Sequence, residues 1–139
     1  MVKKTGSGLV TLTAADIFAA HDEEIKEVEV PEWGGVVYVK GMTGAERDRY
    51  EKTFMEWREK KGKLTNMRAS MLVMCLVDEN GRRLFTSSSS DIEALGAKSA
   101  KVLDRLWDVA RDMCGMTTED VEELAGESGA TEDADSTLS

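Results

Sequence analysis

The segment VEVPEWGGVVYVKGMTGAERDRY, residues 28–50, contains two short strand patterns, a chain reversal and the start of a helix. Valines alternate with glutamates in the first pattern, and apolar residues dominate the second. The Gly34-Gly35 pair between them supplies the backbone freedom that a hairpin turn requires. The segment therefore predicts a β-hairpin that pairs residues 26–30 with residues 36–40. Two strands alone are marginally stable, so helices must cover them.

A helix is predicted directly after the hairpin. Thr43 and Glu46 form an S/T-x-x-E pair, in which each side chain bonds the backbone amide of the other residue at a helix start. We expect this helix to run from Gly44 to Lys61. Its apolar stripe consists of aromatic residues at positions i, i+4 and i+7: Tyr50, Phe54 and Trp57.

Similar signals predict further helices before and after this segment. Residues 67–77 are nearly all apolar, and we favour a helix there, capped by Thr65 or Asn66. A strand-turn-strand over residues 73–85 is the alternative, because periodicity does not distinguish a helix from a strand in a short apolar run. The remaining predicted helices are 14–22 with a Thr13/Asp16 cap and an apolar face around Ile17, 91–95 with a Ser90/Glu93 cap, 98–114 ended by Gly115, and 118–125 with a Thr117/Asp120 cap.

These elements predict one mainly helical α+β domain. A chain of 139 residues is within the usual length of a single domain. We expect an N-terminal β-hairpin packed against about four to five helices over residues 9–126. Residues 1–8 are expected to form a flexible arm. The small, polar and acidic residues 127–139 lack apolar side chains to offset the entropy cost of ordering, so a disordered acidic tail is expected.

The charge distribution argues against nucleic acid as a partner. All 18 lysines and arginines lie at or before Arg111, whereas residues 117–139 contain eight of the 27 acids and no base. The remaining 19 acids nearly balance the 18 bases, so the net charge of −9 belongs almost wholly to the C-terminal end. A near-neutral body without a basic stripe does not predict phosphate binding. Because neither a signal peptide nor an apolar run of about 18 residues is present, we also expect no membrane and a cytoplasmic location.

The sequence predicts no catalytic residue, no cofactor and no metal site. His21 is the sole histidine, and the sequence around it does not predict a partner for general-base catalysis or for metal binding. Cys75 and Cys114 lie in apolar runs and are interpreted as buried free thiols rather than as a disulfide or a reactive pair. A small metal-dependent enzyme that uses clustered carboxylates, such as residues 22–24, is retained as a remote alternative, although the spacing of a calcium loop is missing.

Methionine is the one compositional feature with a functional interpretation. Six methionines lie on or beside predicted helices, at positions 55, 67, 71, 74, 113 and 116. Methionine fills irregular core gaps, but it also lines surfaces that accept helices of varied sequence. Both interpretations stay open here. The hypothesis is that a partner-binding groove or a self-association surface includes Phe54, Trp57, Met67, Met71 and Met74.

Three stretches of the chain resemble a known family. They are EVEVPEWGGVVYVKGMTGAERDRYE, CLVDENGRRLFT and DIEALGAKSAKVLDRLWDVARDMCGMTTEDVEEL, which together lie within residues 16–124. In these stretches the chain resembles the small tail assembly chaperones of long-tailed bacteriophages and related prophages. The shared phrases, such as PEWGG and GMTGAERD, are structural and carry no catalytic signature.

The resemblance implies a non-enzymatic protein of the infected bacterial cytoplasm. It would bind the long, mostly helical tape measure protein, keep it soluble until tail tube subunits polymerise around it, and be absent from the mature virion. The family also implies a longer product of ribosomal frameshifting whose added domain recruits the major tail tube protein. Homo-oligomerisation is a further expectation. A structural tail or connector protein of the virion is the main alternative.

Overall fold

The computed structural model describes residues 6, 8–59, 66–116 and 119–120, apart from the side chains of residues 57 and 58. Within these residues five helices and three strands form a mainly helical α+β fold, as predicted. In chain order they are α1 (Ala14–Ala19), β1 (Ile25–Val30), β2 (Gly35–Lys40), α2 (Gly44–Glu59), α3 (Met67–Cys75), β3 (Leu76–Val77), α4 (Ser89–Gly96) and α5 (Ala100–Met113).

The predicted hairpin is confirmed to within one residue at each strand. β1 and β2 pair antiparallel, with Val28 opposite Val37. The turn between them is a single 3₁₀ turn over Pro31–Trp33, followed by Gly34 at a φ of 79°. Residues with a side chain rarely adopt this left-handed backbone conformation, so glycine is favoured at that position. The inward face of the hairpin buries Val30 and Val39.

The segment 73–85 combines parts of both interpretations. Its helix continues to Cys75, but Leu76–Val77 then form strand β3, which pairs antiparallel with β2. The chain turns back beyond this strand because the Asp78 carboxylate accepts hydrogen bonds from the backbone N–H groups of Asn80 and Arg82, at 2.8 and 3.0 Å. The prediction of a helix through Val77 is therefore wrong for its last two residues, and the sheet gains a third strand.

Two of the predicted helix caps are confirmed. At α2 the Glu46 N–H donates to the Thr43 hydroxyl at 3.1 Å, and the Thr43 N–H donates to the Glu46 carboxylate at 2.8 Å. The same reciprocal pair of bonds joins Thr13 and Asp16 at α1. Each capping box satisfies amide donors that have no partner within the helix.

The predicted cap of α4 is wrong. Ser88, rather than Ser90, lies at the N-cap, where its hydroxyl accepts a hydrogen bond from the Asp91 N–H at 3.2 Å. Asp91 in turn accepts a bond from the Thr86 N–H at 2.7 Å. These local bonds stabilise an earlier start, so Ser90 lies inside the helix. Four consecutive serines offer several equivalent caps, and the bond to Thr86 selects among them.

The core is built around α3, which packs against α2, α4 and α5. The amphipathic helix α5 contributes the face that contains Leu106 and Trp107, and it also contacts β2. The buried cluster consists of Val30, Val39, Tyr50, Phe54, Ala69, Met71, Leu72, Val73, Cys75, Leu76, Leu95, Val102, Leu103, Leu106, Trp107, Ala110 and Met116. The fold thus places a largely buried helix, α3, among three covering helices, and α5 packs this helical layer against β2 of the sheet.

The predicted apolar face of α1 does not join this core. No residue of α1 is buried, and Ile17 and Phe18 are 57% and 86% exposed. Leu9, Val10 and Leu12 are also exposed. The N-terminal part of the described chain therefore presents apolar side chains to the surface.

Several predictions fall on residues outside the described ranges. The expected arm at 1–8 is described only at Gly6 and Gly8, and the expected tail at 127–139 lies wholly outside. Of the expected helix at 118–125, only Glu119 and Asp120 are described, and both are helical. Among the helices that the structure describes, none has the length and apolar character needed to cross a membrane.

A bidentate ion pair joins the hairpin turn to α5. Arg105 donates from Nη1 and Nη2 to the two carboxylate oxygens of Glu32, at 2.8 and 2.6 Å. Hydrogen bonding by the Arg105 guanidinium lowers the pKa of Glu32 to about 2. A pKa lowered in the folded state stabilises the protein above the unfolded pKa, and this stabilisation is lost as pH falls through the folded pKa.

We therefore expect Glu32→Gln to melt at a lower temperature than wild type at pH 7, with the difference shrinking as pH falls from about 4.5 toward 2. Circular dichroism melting curves at a series of pH values measure this. Glu29→Gln is the matched control on the same hairpin, because Glu29 forms no ion pair with a described residue. A difference that is constant with pH would contradict a role for the Glu32 carboxylate.

Gly41 lies where the end of α5 approaches the connection between β2 and α2. A Cβ at this position would lie 2.7 Å from the Met113 carbonyl oxygen, whereas a Cβ on Gly44 would have no heavy atom within 4 Å. The Met113 carbonyl oxygen belongs to the backbone, so it cannot move aside as the end of a flexible side chain can. The absence of a side chain at Gly41 therefore permits this close approach.

We expect Gly41→Ala to destabilise the fold by about 1–3 kcal/mol through overpacking. Gly44→Ala, at the start of α2, should instead be neutral or stabilising by up to about 1 kcal/mol, because alanine favours the helix. Urea denaturation of both variants tests the pair. Equal effects would mean that the contact with Met113 does not constrain the fold.

Candidate functional site

The five residues predicted to bind a partner divide into three groups. Phe54 and Met71 are 0% exposed and belong to the core, so a direct contact with a partner would require the core to open. Met67 and Met74 are partly buried and pack at the edge of the core. Trp57 lies in α2, but its side chain is outside the described part of the chain. The role of these residues in binding stays a prediction.

Met74 lines a shallow cavity on the surface of the helical layer, which we call the α2–α4 groove. Its volume is about 180 Å³. Pockets for drug-sized ligands usually measure about 300–1,000 Å³, so this groove has the size of a side chain rather than of a cofactor. It is lined by Arg49, Tyr50, Thr53, Ser70, Met74, Ser87 and Ile92.

Three helices position the groove. Tyr50 and Thr53 come from successive turns of α2, Ser70 and Met74 from successive turns of α3, and Ile92 from α4. These i, i+3 and i, i+4 spacings place each pair on one helix face. The base of the groove is therefore formed by the buried helix α3, and its two sides are formed by α2 and α4.

Tyr50 is held rigidly on the α2 side. Its ring packs edge-on against Phe54, with ring centroids 4.9 Å apart, and its hydroxyl donates to the Met67 carbonyl oxygen at 3.2 Å. Burial raises the pKa of the Tyr50 hydroxyl, so the group remains a protonated donor at neutral pH. The bond fixes α2 against the first turn of α3, beside the groove.

Ser70 is the polar group at the base of the groove. The residue is 7% exposed, and its hydroxyl has no hydrogen-bond partner among the described residues. A buried hydroxyl without a partner costs free energy relative to one that is bonded. The unbonded Ser70 hydroxyl thus lies buried beneath the groove rather than exposed in it.

Arg49 is the charged residue of the groove. Other described arginines hold carboxylates: Arg47, Arg68, Arg83, Arg105 and Arg111. Arg49 forms no ion pair with a described residue, and neither does Arg82. Sequence reasoning did not single out Arg49, Ser70 or Ile92. Helix spacing could have indicated that Arg49 lacks an i, i+4 ion pair. Alanine and threonine lie four residues before and after Arg49, whereas Glu51 lies four residues after Arg47 and pairs with it.

Met67 lines a second cavity, of about 210 Å³, between α3 and the start of α5. Gly96 lies beside it and contacts Asn66 so closely that a Cβ there would collide with the Asn66 side chain. Gly96 is the last residue of α4, and its small size accommodates Asn66. The two partly buried methionines of the predicted set therefore line separate cavities.

Acidic residues line a third cavity, of about 270 Å³, beside the end of α5. They are Asp22, Glu23 and Glu24, and the Glu23 carboxylate lies 3.2 Å from Lys40 Nζ. No group of three or more histidine, cysteine, aspartate or glutamate side chains in the described residues has an arrangement that could hold a metal ion. The carboxylates instead lie at the surface near the β2–α2 connection.

Cys75 and Cys114 are free thiols, Cys75 buried and Cys114 partly exposed. The expectation of two buried thiols is thus confirmed for Cys75 and only in part for Cys114. The Met42 N–H donates to Cys114 Sγ at 3.2 Å. A hydrogen bond from the Cys75 thiol lowers the pKa of Cys114, whereas the same bond and burial raise the pKa of Cys75. The pair links α3, the end of α5 and the connection between β2 and α2.

Comparison with protein families identifies one match. The family model described as phage tail assembly chaperone matches residues 15–127, which is most of the chain. No curated protein and no solved structure matches the chain significantly. The matched range includes the hairpin, α2 to α5 and every residue that lines the α2–α4 groove.

Two methionines on α3 separate core filling from surface function. We expect Met71→Ala to lower the free energy of unfolding by about 2–5 kcal/mol, because it removes fully buried side-chain atoms and leaves a cavity. Met74→Ala should cost less than about 2 kcal/mol, because Met74 is only partly buried. Urea denaturation of the two variants measures the difference. Similar losses would place Met74 in the core and would remove it as a candidate contact.

Proposed function

The chain belongs to the phage tail assembly chaperone family, and on this premise we propose that it binds and solubilises the tape measure protein during tail assembly. The observation that carries the proposal is the placement of Met67 and Met74, each partly buried and each lining a cavity beside α3. Such cavities accept side chains from a partner helix. The proposal assigns no catalytic residue and no cofactor, since the family is not one of enzymes.

Physical chemistry favours this partner. A long, mostly helical protein exposes apolar stripes before it is enclosed in the tail tube, and such stripes aggregate unless they are covered. Methionine adapts its shape to different apolar side chains, which suits a chaperone that meets many segments of one long chain. The exposed apolar residues of the N-terminal segment, among them Ile17 and Phe18, offer a further contact surface.

We also propose a longer frameshifted form that recruits the major tail tube protein. Support comes from the composition of residues 127–139, which contain few apolar side chains to disturb if another C-terminal segment replaced them. In this proposal the chain acts in the cytoplasm of the host bacterium, self-associates on the tape measure protein and is absent from the mature virion. Stoichiometric amounts of the chain in purified particles would instead favour the structural tail protein.

Co-expression with the tape measure protein tests the function and the role of α3 together. We expect the wild-type chain to keep the tape measure protein in the soluble fraction and to co-purify with it. Met74→Glu should reduce co-purification at least severalfold, because it places a charge in an apolar contact. A circular dichroism spectrum that matches wild type is the control for correct folding of the variant.

Met55→Glu is the matched control, since Met55 is 47% exposed on α2 and lines neither cavity. It should leave co-purification unchanged. A tape measure protein that stays insoluble with the wild-type chain would refute the proposed function. Normal capture by Met74→Glu would refute only the assignment of Met74 to the binding surface.

A further inference from the structure

We propose that the α2–α4 groove is an anchor site for an amphipathic helix of acidic character. One apolar side chain of the helix enters the cavity beside Met74, and a carboxylate one turn away pairs with Arg49. This inference rests on the proposed function, because it specifies the chemistry of the partner segments that the chaperone binds. It extends that function from a general apolar contact to a site with charge specificity.

An arginine without an ion-pair partner among the described residues lies beside the cavity. Arg49 lies on the rim of the groove and holds no carboxylate of the described chain, whereas five other arginines do. Lys52 follows Arg49 by three residues in α2 and likewise forms no ion pair with a described residue. Residues three apart are neighbours on a helix surface. By this spacing Glu46 also neighbours Arg49, but its carboxylate is held by Arg83 at 2.7 Å, and Lys52 does not line the groove. Arg49 is therefore the cation that the α2 side of the groove offers to an acidic partner.

The acid that precedes Ile92 on the opposite side of the groove does not pair with Arg49. Asp91 is the acid that precedes Ile92 in α4, and its carboxylate already accepts bonds from the Thr86 N–H and hydroxyl, at 2.7 and 2.9 Å. It is also close in sequence to the N-cap of α4, where a negative charge is stabilised by the helix dipole. Asp91 is thus engaged by its own helix start rather than by Arg49.

Size and polarity define the rest of the occupant. A cavity of about 180 Å³ accommodates a side chain but is small for a cofactor. Its base combines Met74 with the unpartnered hydroxyl of Ser70. The Ser70 hydroxyl is itself buried, so the cavity and Arg49 define the occupant: a helix that presents an apolar residue and a carboxylate at i+3 or i+4, which lie on one helix face.

Two synthetic helical peptides of about 20 residues test the inference. Both peptides carry the same leucine face. In one peptide glutamates flank this face, and in the other peptide lysines occupy the same positions. Fluorescence anisotropy with the full chain should give about three- to tenfold tighter binding of the glutamate peptide at low salt. Arg49→Glu should reverse the preference. Arg82→Glu is the matched control, because Arg82 is an exposed arginine that forms no ion pair with a described residue and lies outside the groove.

The cavity is tested independently of the charge. Thr53 is exposed at the rim, so Thr53→Trp should fill the entrance without disturbing the fold and should weaken binding of both peptides. Equal affinity of the wild-type chain for the two peptides would overturn the proposal. So would an unchanged preference in Arg49→Glu, or unchanged affinity in Thr53→Trp. Circular dichroism establishes that each variant is folded.

The tape measure co-expression assay separates the two levels of the proposal. If Arg49→Glu captures the tape measure protein normally and the peptides show no preference, the anchor site is refuted while the chaperone function stands. If the wild-type chain does not capture the tape measure protein, the function is refuted whatever the peptides show. If self-association of the chain competes with peptide binding, the groove belongs to an interface between two copies of the chain. That result would also overturn the proposal.

Discussion

The burial of α3 is the constraint on which the other elements depend. This helix has an apolar residue at nearly every position, and six of its nine residues are buried. Such a helix has no polar face to expose, so it must be covered on several sides. The fold meets this requirement by packing α2, α4 and α5 around it and by continuing its chain directly into β3. The helical layer and the sheet are therefore joined by one buried segment.

The same arrangement creates the candidate binding surface. Because α3 is covered by separate helices, the seams between those helices leave cavities, and side chains at the edges of α3 line them. Met74 and Ser70 lie in one seam, and Met67 lies in another. A methionine that fills the core and one that lines a surface cavity are thus only three residues apart, at 71 and 74. The single helix α3 therefore supplies both a buried methionine to the core and a partly exposed one to a cavity.

Much of the architecture could be predicted because its signals are local. The hairpin follows from alternating residues and a Gly-Gly turn, and two caps follow from Thr-x-x-acid pairs whose bonds span three residues. Prediction was weaker where several local solutions have similar free energy. The cap of α4 depended on Thr86, and the end of α3 depended on pairing between β3 and β2. Both involve partners that periodicity does not reveal.

The amino-acid sequence by itself determined the fold class, most helix starts, the near-neutral body and the resemblance to tail assembly chaperones, since these depend on composition and on neighbours within a few residues. Only the tertiary structure decided which of the four candidate contacts with a described side chain are accessible. Phe54 and Met71 lie in the core, whereas Met67 and Met74 reach cavities. It also brought Arg49, Ser70 and Ile92 together from three helices. The physical reason is that accessibility and unpaired charge are properties of packing, which sequence spacing does not specify.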